Sequence, residues 1–143
     1  MHARWFFLIF LFTYLSLHRA DCAMTLEQME KVAKGFRNNC MSKTGADSAA
    51  VDGIKKGQFP DDHNVKCYAY CIMKVMRTMN DANIDKDMLI KQIEIFFPED
   101  LQARLKATTE KCVPQATSSD KCEAAYQYVQ CTQQADPDAF FFP

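Results

Sequence analysis

The chain has 143 residues, 7 Cys, 17 Lys+Arg against 18 Asp+Glu, and only 4 Gly. The length fits one domain, the formal charge of −1 lacks the basic surplus of a nucleic-acid binder, and 24% charged with 48% hydrophobic residues excludes a disordered chain. Few Gly and few Pro disfavour a turn-rich all-β fold, so the expected class is all-α, compact and tied by disulfides.

The first 22 residues read as a secretory signal peptide. His2 and Arg4 precede the apolar run Trp5–Leu17, which is short for a bilayer span but suits a secretory h-region. Ala20 and Cys22 form a small-x-small site, with cleavage after Cys22 or, nearly as well, after Ala23. This leaves one domain over 23–143. From Met24 onward the chain carries 15 Lys+Arg and 17 Asp+Glu, a net charge of −2. It retains a single histidine, His63, and six cysteines. An even count in a small secreted chain reads as three disulfides.

Six short helices follow. Thr25-Leu-Glu-Gln28 has the form of a capping box, and Leu26, Met29, Ala33 and Phe36 keep a helical period to about Cys40. Asp47 or Ser48 caps a second helix with Val51 and Ile54, stopped near Gly57. The polar stretch Gln58 to Asn64, with Pro60, reads as a loop. Asn64 is the expected cap of a third helix from Val65 to about Asn80, with Cys67, Cys71 and Val75 on one stripe. Asp85 caps a fourth, with Met88, Leu89, Ile93 and Phe96 inward, ended by Pro98. Pro98 and Glu99 open a fifth, in which Leu101, Leu105, Thr108 and Cys112 keep the period. Pro114 to Ser118 is a turn. Ser119 starts a sixth helix to about Gln134, with Cys122, Ala125, Tyr126 and Val129 inward. The remaining tail, residues 135–143, ends in Phe140-Phe141-Phe142-Pro143, where an ordinary terminus is polar.

The cysteine spacing is C-x26-C-x3-C-x40-C-x9-C-x8-C. Cys67 and Cys71 leave one helix face a turn apart, so each must staple the third helix to another element. Six cysteines allow fifteen pairings, and the spacing alone does not choose. Three staples exceed what a chain of this length needs to fold. One reading is that they hold the helices around a space that is not fully packed.

Reactive constellations are scarce. With one histidine in the polar run Pro60-Asp-Asp-His-Asn64, no pair of histidine acid and base is available. Paired cysteines leave no thiol nucleophile. There is no G-x-S-x-G elbow, CxxC redox motif, zinc-finger spacing or phosphate-cradling glycine loop. No catalytic residue, metal or cofactor is expected. His63 reads as an exposed loop residue, with a pH-sensitive role beside nearby acids as the alternative. Lys55-Lys56 reads as a solvated helix face.

The signal peptide, the opening Ala23-Met-Thr-Leu-Glu-Gln28, Cys67-Tyr-Ala-Tyr-Cys71, the Cys122-x8-Cys131 spacing and the aromatic end together resemble the insect odorant-binding and pheromone-binding proteins of the six-cysteine group. The resemblance covers the whole chain. It implies about six helices around an apolar ligand cavity, interlocked by Cys40–Cys71, Cys67–Cys122 and Cys112–Cys131. It implies a secreted carrier of odorants or pheromones in sensillar lymph or another secretion, delivering them to membrane receptors. A non-olfactory carrier of fatty acids, hormones or host amines is the alternative within the family. From other classes, an interaction module with a filled core and a helical secreted enzyme compete. The implied partners are a small hydrophobic ligand and, transiently, an olfactory receptor or a membrane surface. Nucleic acid is not among them, and a monomer or weak homodimer is implied.

The resemblance also carries pocket roles onto this sequence. They fall on Ala33 and Phe36 of the first helix, Ala69 and Met73 of the third, Leu105, Thr108 and Thr109 of the fifth, and Tyr128 and Thr132 of the sixth. Met76 joins them, since flexible thioethers near Met73, Met79 and Met88 suit a wall that adapts to ligands. Some relatives place a hydroxyl residue around Ala69 and Met73. Here both are apolar, which leaves Thr108, Thr109, Thr132 and the tyrosines as polar candidates. Phe140, Phe141 and Phe142 are expected to fold over the cavity. Asp136, Asp138 and the terminal carboxylate are expected to hold that lid, so that acid loosens it and weakens binding near pH 5.

Overall fold

The computed structural model describes residues 24–143, and the expected signal peptide lies outside them. Six α-helices account for most of this span: α1 (Leu26–Thr44), α2 (Ser48–Ile54), α3 (His63–Val75), α4 (Lys86–Phe96), α5 (Glu99–Cys112) and α6 (Lys121–Ala135). One 3-10 turn (Val113–Gln115) and a two-residue hairpin, β1 (Met79–Asn80) against β2 (Asn83–Ile84), complete it. Among the described residues no helix is long and apolar enough to cross a membrane.

Local chemistry sets most helix ends. Thr25 and Gln28 form the reciprocal capping box of α1. Asp47, Asp62, Asp85 and Asp120 each accept a backbone N–H in the first turn of α2, α3, α4 and α6. α1 runs one turn past Cys40 and stops at Gly45, whose φ of 68° suits a residue without Cβ. α5 starts after Pro98 with no side-chain cap, but Glu99 and Asp100 face the positive end of its dipole.

Three further helix ends differ from the sequence reading. α3 begins at His63, because Asp62 rather than Asn64 is the cap. It ends at Val75 rather than near Asn80. Arg77 takes φ 58°, the Arg77 N–H bonds Lys74 O, and the Thr78 N–H reaches back to Met73 O. This is a Schellman stop without glycine. The buried Thr78 hydroxyl adds a second bond to Met73 O at 3.1 Å. The chain then turns through the hairpin, with Asp81 at φ 48°. α6 likewise starts at Lys121 behind an Asp120 cap, not at Ser119.

α3 is central. It packs mainly on α6 and α1, while α4 packs mainly on α5. Ala69, Ala124 and Ala125 are fully buried, and such small side chains let α3 and α6 approach closely. Cys67–Cys122 joins these helices with Cα atoms 4.4 Å apart. Lys66 spans the same seam, pairing with Glu123 at 2.7 Å and with Asp61. Cys40–Cys71 ties α1 to α3, and Cys112–Cys131 ties α5 to α6. Arg37 binds α1 to α2 through Asp52 at 2.9 Å and Ser48 Oγ at 3.1 Å. Val51, Ile54, Val65, Tyr68 and Ile72 form the solid part of the core.

The disulfides close loops of different length, with sequence separations of 55 for Cys67–Cys122 and 19 for Cys112–Cys131. In the chain-entropy model the first contributes roughly 4 kcal/mol and the second roughly 3 kcal/mol. Replacing each pair by alanines in turn and measuring urea unfolding should show the larger loss for Cys67/Cys122. The reverse order would mean that strain or residual structure, not loop closure, sets their worth.

Candidate functional site

A cavity of about 380 Å³ opens between the α1–α3–α6 layer and the α4–α5 pair. Its walls are mostly apolar. α1 supplies Met29, Val32, Ala33 and Phe36; α3 and its end supply Ile72, Met73, Val75 and Met76. α4 and its cap supply Leu89, Gln92, Ile93, Phe96 and Phe97; α5 supplies Leu105, Thr108 and Thr109; α6 supplies Tyr128, Val129 and Thr132. Phe140, Phe141, Phe142 and Pro143 close the remaining side. Exposed Val32 and Arg77 sit at the rim.

Of the residues expected at the pocket, Ala33, Phe36, Met73, Met76, Leu105, Thr108, Thr109, Tyr128, Thr132, Phe140, Phe141 and Phe142 line this cavity. Ala69 does not. It lies one turn earlier on α3 and is fully buried in the packed core. Met79 and Met88 are also outside the lining; Met79 is buried in the hairpin region. Met24 and the α4 face were not assigned to the pocket from sequence. Leu89, Ile93 and Phe96 had shown the right inward period, but a period alone reads equally as core. The side chain of Leu26 lies outside the described residues.

Polar groups in the lining are few, and most are engaged. Thr132 Oγ1 donates to Val129 O at 2.9 Å, a bond within its own helix. The Gln92 amide donates to Met76 O and pins α4 to the end of α3. Thr109 and Tyr128 share a hydrogen bond of 3.2 Å across the α5–α6 seam. Burial raises the Tyr128 phenol above its ordinary value, with the Thr109 contact acting against this, so it stays protonated at neutral pH. Among the described residues no cluster of metal-ligating side chains occurs. His63 lies at the start of α3, exposed, with Nε2 3.5 Å from Cys67 Sγ. The wall can exclude water and bind apolar matter; it holds no base poised beside a nucleophile.

The tail is a built wall. Phe142 meets Tyr68 edge-on at 6.0 Å between centroids, Phe141 meets Phe97 edge-on at 5.7 Å, and Phe140 stacks on Phe142 at 6.3 Å. The Tyr68 hydroxyl donates to Pro143 O at 2.7 Å, and burial pushes its pKa up to about 12. Arg104 of α5 grips Asp136 with two N–H groups, Nε at 2.9 Å from Oδ2, and Asp136 Oδ1 accepts the Ala139 N–H at 3.2 Å.

This geometry changes the expected acid response. The Arg104 hydrogen bonds lower the Asp136 pKa, so its contribution to tail docking is present above the ordinary carboxylate range and is lost only as pH falls through the lowered value. A shift from pH 7 to pH 5 leaves Asp136 charged. Ligand affinity should therefore hold from pH 7 to 5 and fall below about pH 4. Asp136→Asn should weaken binding already at pH 7. A wild-type loss complete by pH 5 would place the switch in another group.

Three comparisons bear on this cavity. The PBP/GOBP family model matches residues 22–135, which leaves the tail outside the match. General odorant-binding protein 72 of Anopheles gambiae is 31% identical over 122 residues, covering 85% of this chain and all of the relative. Among solved structures, odorant binding protein 5 of Apis mellifera superposes with a TM-score of 0.80 at 41% identity, over 85% of this chain and 99% of that one. Odorant binding protein 4 of Chrysopa pallens superposes at 0.79 with 30% identity, over 84% and 99%. The chain belongs to the PBP/GOBP family, whose members are secreted, non-enzymatic carriers of small hydrophobic ligands.

Proposed function

We propose that this protein is a secreted carrier that holds a small semiochemical, an odorant or pheromone, in the cavity and delivers it to a membrane receptor. The observation that carries the reading is the apolar cavity of about 380 Å³, which lies within the size range of small-molecule sites. The names of the relatives, odorant-binding proteins, support the ligand class. The twelve lining residues anticipated above are the proposed contacts, with the α4 face added to them. An apolar ligand that hides roughly 300 Å² from water gains about 7.5 kcal/mol, which corresponds to micromolar dissociation before ordering costs. Delivery to a receptor or a membrane surface, and a monomeric or weakly dimeric state, belong to the same proposal.

Ala33 tests it. This small residue of α1 lines the cavity and is 8% exposed. Ala33→Trp fills space that a ligand needs. It also provides an indole reporter, since residues 24–143 contain no tryptophan. An apolar naphthylamine probe should bind the oxidised wild type saturably, at micromolar levels. The variant should bind it at least tenfold more weakly while keeping its helical circular dichroism. Equal binding by the two proteins would place the probe elsewhere and remove the cavity from the function.

A further inference from the structure

Thr109 of α5 and Tyr128 of α6 are the cavity's buried hydroxyl pair, 2% and 8% exposed, with oxygens 3.2 Å apart. Two hydroxyls carry two protons, and the contact between them uses one. The second has no acceptor among the hydrogen bonds of the described residues. Among the other lining donors, Thr78 is spent on Met73 O, Thr132 on Val129 O and one Gln92 N–H on Met76 O, while the Thr108 hydroxyl is only half-buried, within reach of water. Asp136 is held by Arg104. Among the buried hydroxyls of the wall one O–H is thus spare, in a place that water reaches poorly. Leaving a buried donor unmet costs free energy, and an acceptor brought in by a ligand recovers it.

Both protons can rotate. The phenol is the stronger donor, so an arriving acceptor favours the order Thr109 to Tyr128 to ligand, in which each bond polarises the next. The pair offers a proton but no positive charge. Arg77, the one Lys or Arg among the lining residues, is exposed at the rim. An ionised ligand head brought to the pair would lose its water without gaining a counter-charge.

We propose that the Thr109–Tyr128 pair is the polar anchor of the cavity and selects ligands bearing an uncharged oxygen acceptor, a ketone, aldehyde, ester or alcohol, on an otherwise apolar skeleton. This rests on the carrier reading above and narrows its ligand class.

The test compares a 2-alkanone with the 2-methyl-1-alkene of the same chain length, in which a methylene replaces the carbonyl oxygen. Each displaces the same naphthylamine probe from the oxidised wild type and from Tyr128→Phe, Thr109→Val and Thr108→Val. Tyr128→Phe should weaken the ketone about tenfold relative to the alkene, the worth of one neutral hydrogen bond. Thr109→Val keeps the phenol but removes its polarising partner, and should shift the ratio about threefold. Thr108→Val removes the half-buried competing hydroxyl and should move the ratio less than Tyr128→Phe does. Because the readout is a ratio of two ligands on one protein, partial loss of folding cancels. A ratio unmoved by Tyr128→Phe, or moved as much by Thr108→Val, overturns the anchor and leaves the carrier reading standing. A carboxylate of the same length that outcompetes the ketone at pH 7 overturns the uncharged class. If neither neutral ligand displaces the probe from wild type, the carrier reading fails and the anchor fails with it.

Discussion

Cys67 and Cys71 sit one turn apart on α3 and leave it towards different helices, Cys67 to α6 and Cys71 to α1. A single helical face therefore fixes two neighbours covalently, and the third bridge passes the constraint from α6 to α5. The Cys67–Cys122 bridge holds α3 and α6 with Cα atoms 4.4 Å apart. Further along α3 the side chains become Ile72, Met73 and Met76, and the cavity begins there.

An apolar cavity is a cost to a fold, because its lining forgoes dispersion contacts that a packed core would make. Here the solid core around Val51, Ile54, Val65 and Tyr68 lies beside the cavity, and three covalent ties offset the loss. α4 has no disulfide of its own. It is positioned by packing on α5, by the Gln92 bond to Met76 O and by Gln102 of α5 donating to Phe97 O at 3.0 Å. The wall opposite the bridges is accordingly the one built from side-chain contacts.

Much of this was legible in the sequence because it rests on local chemistry. Thr25 with Gln28, Asp47 and Asp85 announce helix starts by the residues themselves, and the six helices follow from their periods. The end of α3 was not legible. Its stop uses Arg77 in the left-handed region, where glycine is the usual signal, and it is held by the buried Thr78 hydroxyl, a tertiary circumstance. Asp62 and Asn64 are equally good caps on paper, and the choice between them rests on backbone geometry two residues after Pro60. Ala69 shows the same limit at the site. Ala69 and Met73 share a helix face, but only the packed structure shows that the core closes over one and the cavity opens beside the other.

The tail completes the wall by different means from the helices. Phe140, Phe141 and Phe142 are held by aromatic contacts, one hydrogen bond from Tyr68 and the Arg104–Asp136 pair, none of them covalent. The cavity reaches solvent at the rim of Val32 and Arg77, and the rest of its enclosure depends on how firmly each wall is held. Moving α1, α3, α5 or α6 works against a disulfide, whereas α4 and residues 137–143 are held by noncovalent contacts. The tail is nevertheless well tied, since Ala139, Phe142 and Pro143 are buried and the last carbonyl is bonded by Tyr68. The covalent framework therefore shapes the walls on α1, α3, α5 and α6, and noncovalent contacts complete the enclosure at α4 and the tail.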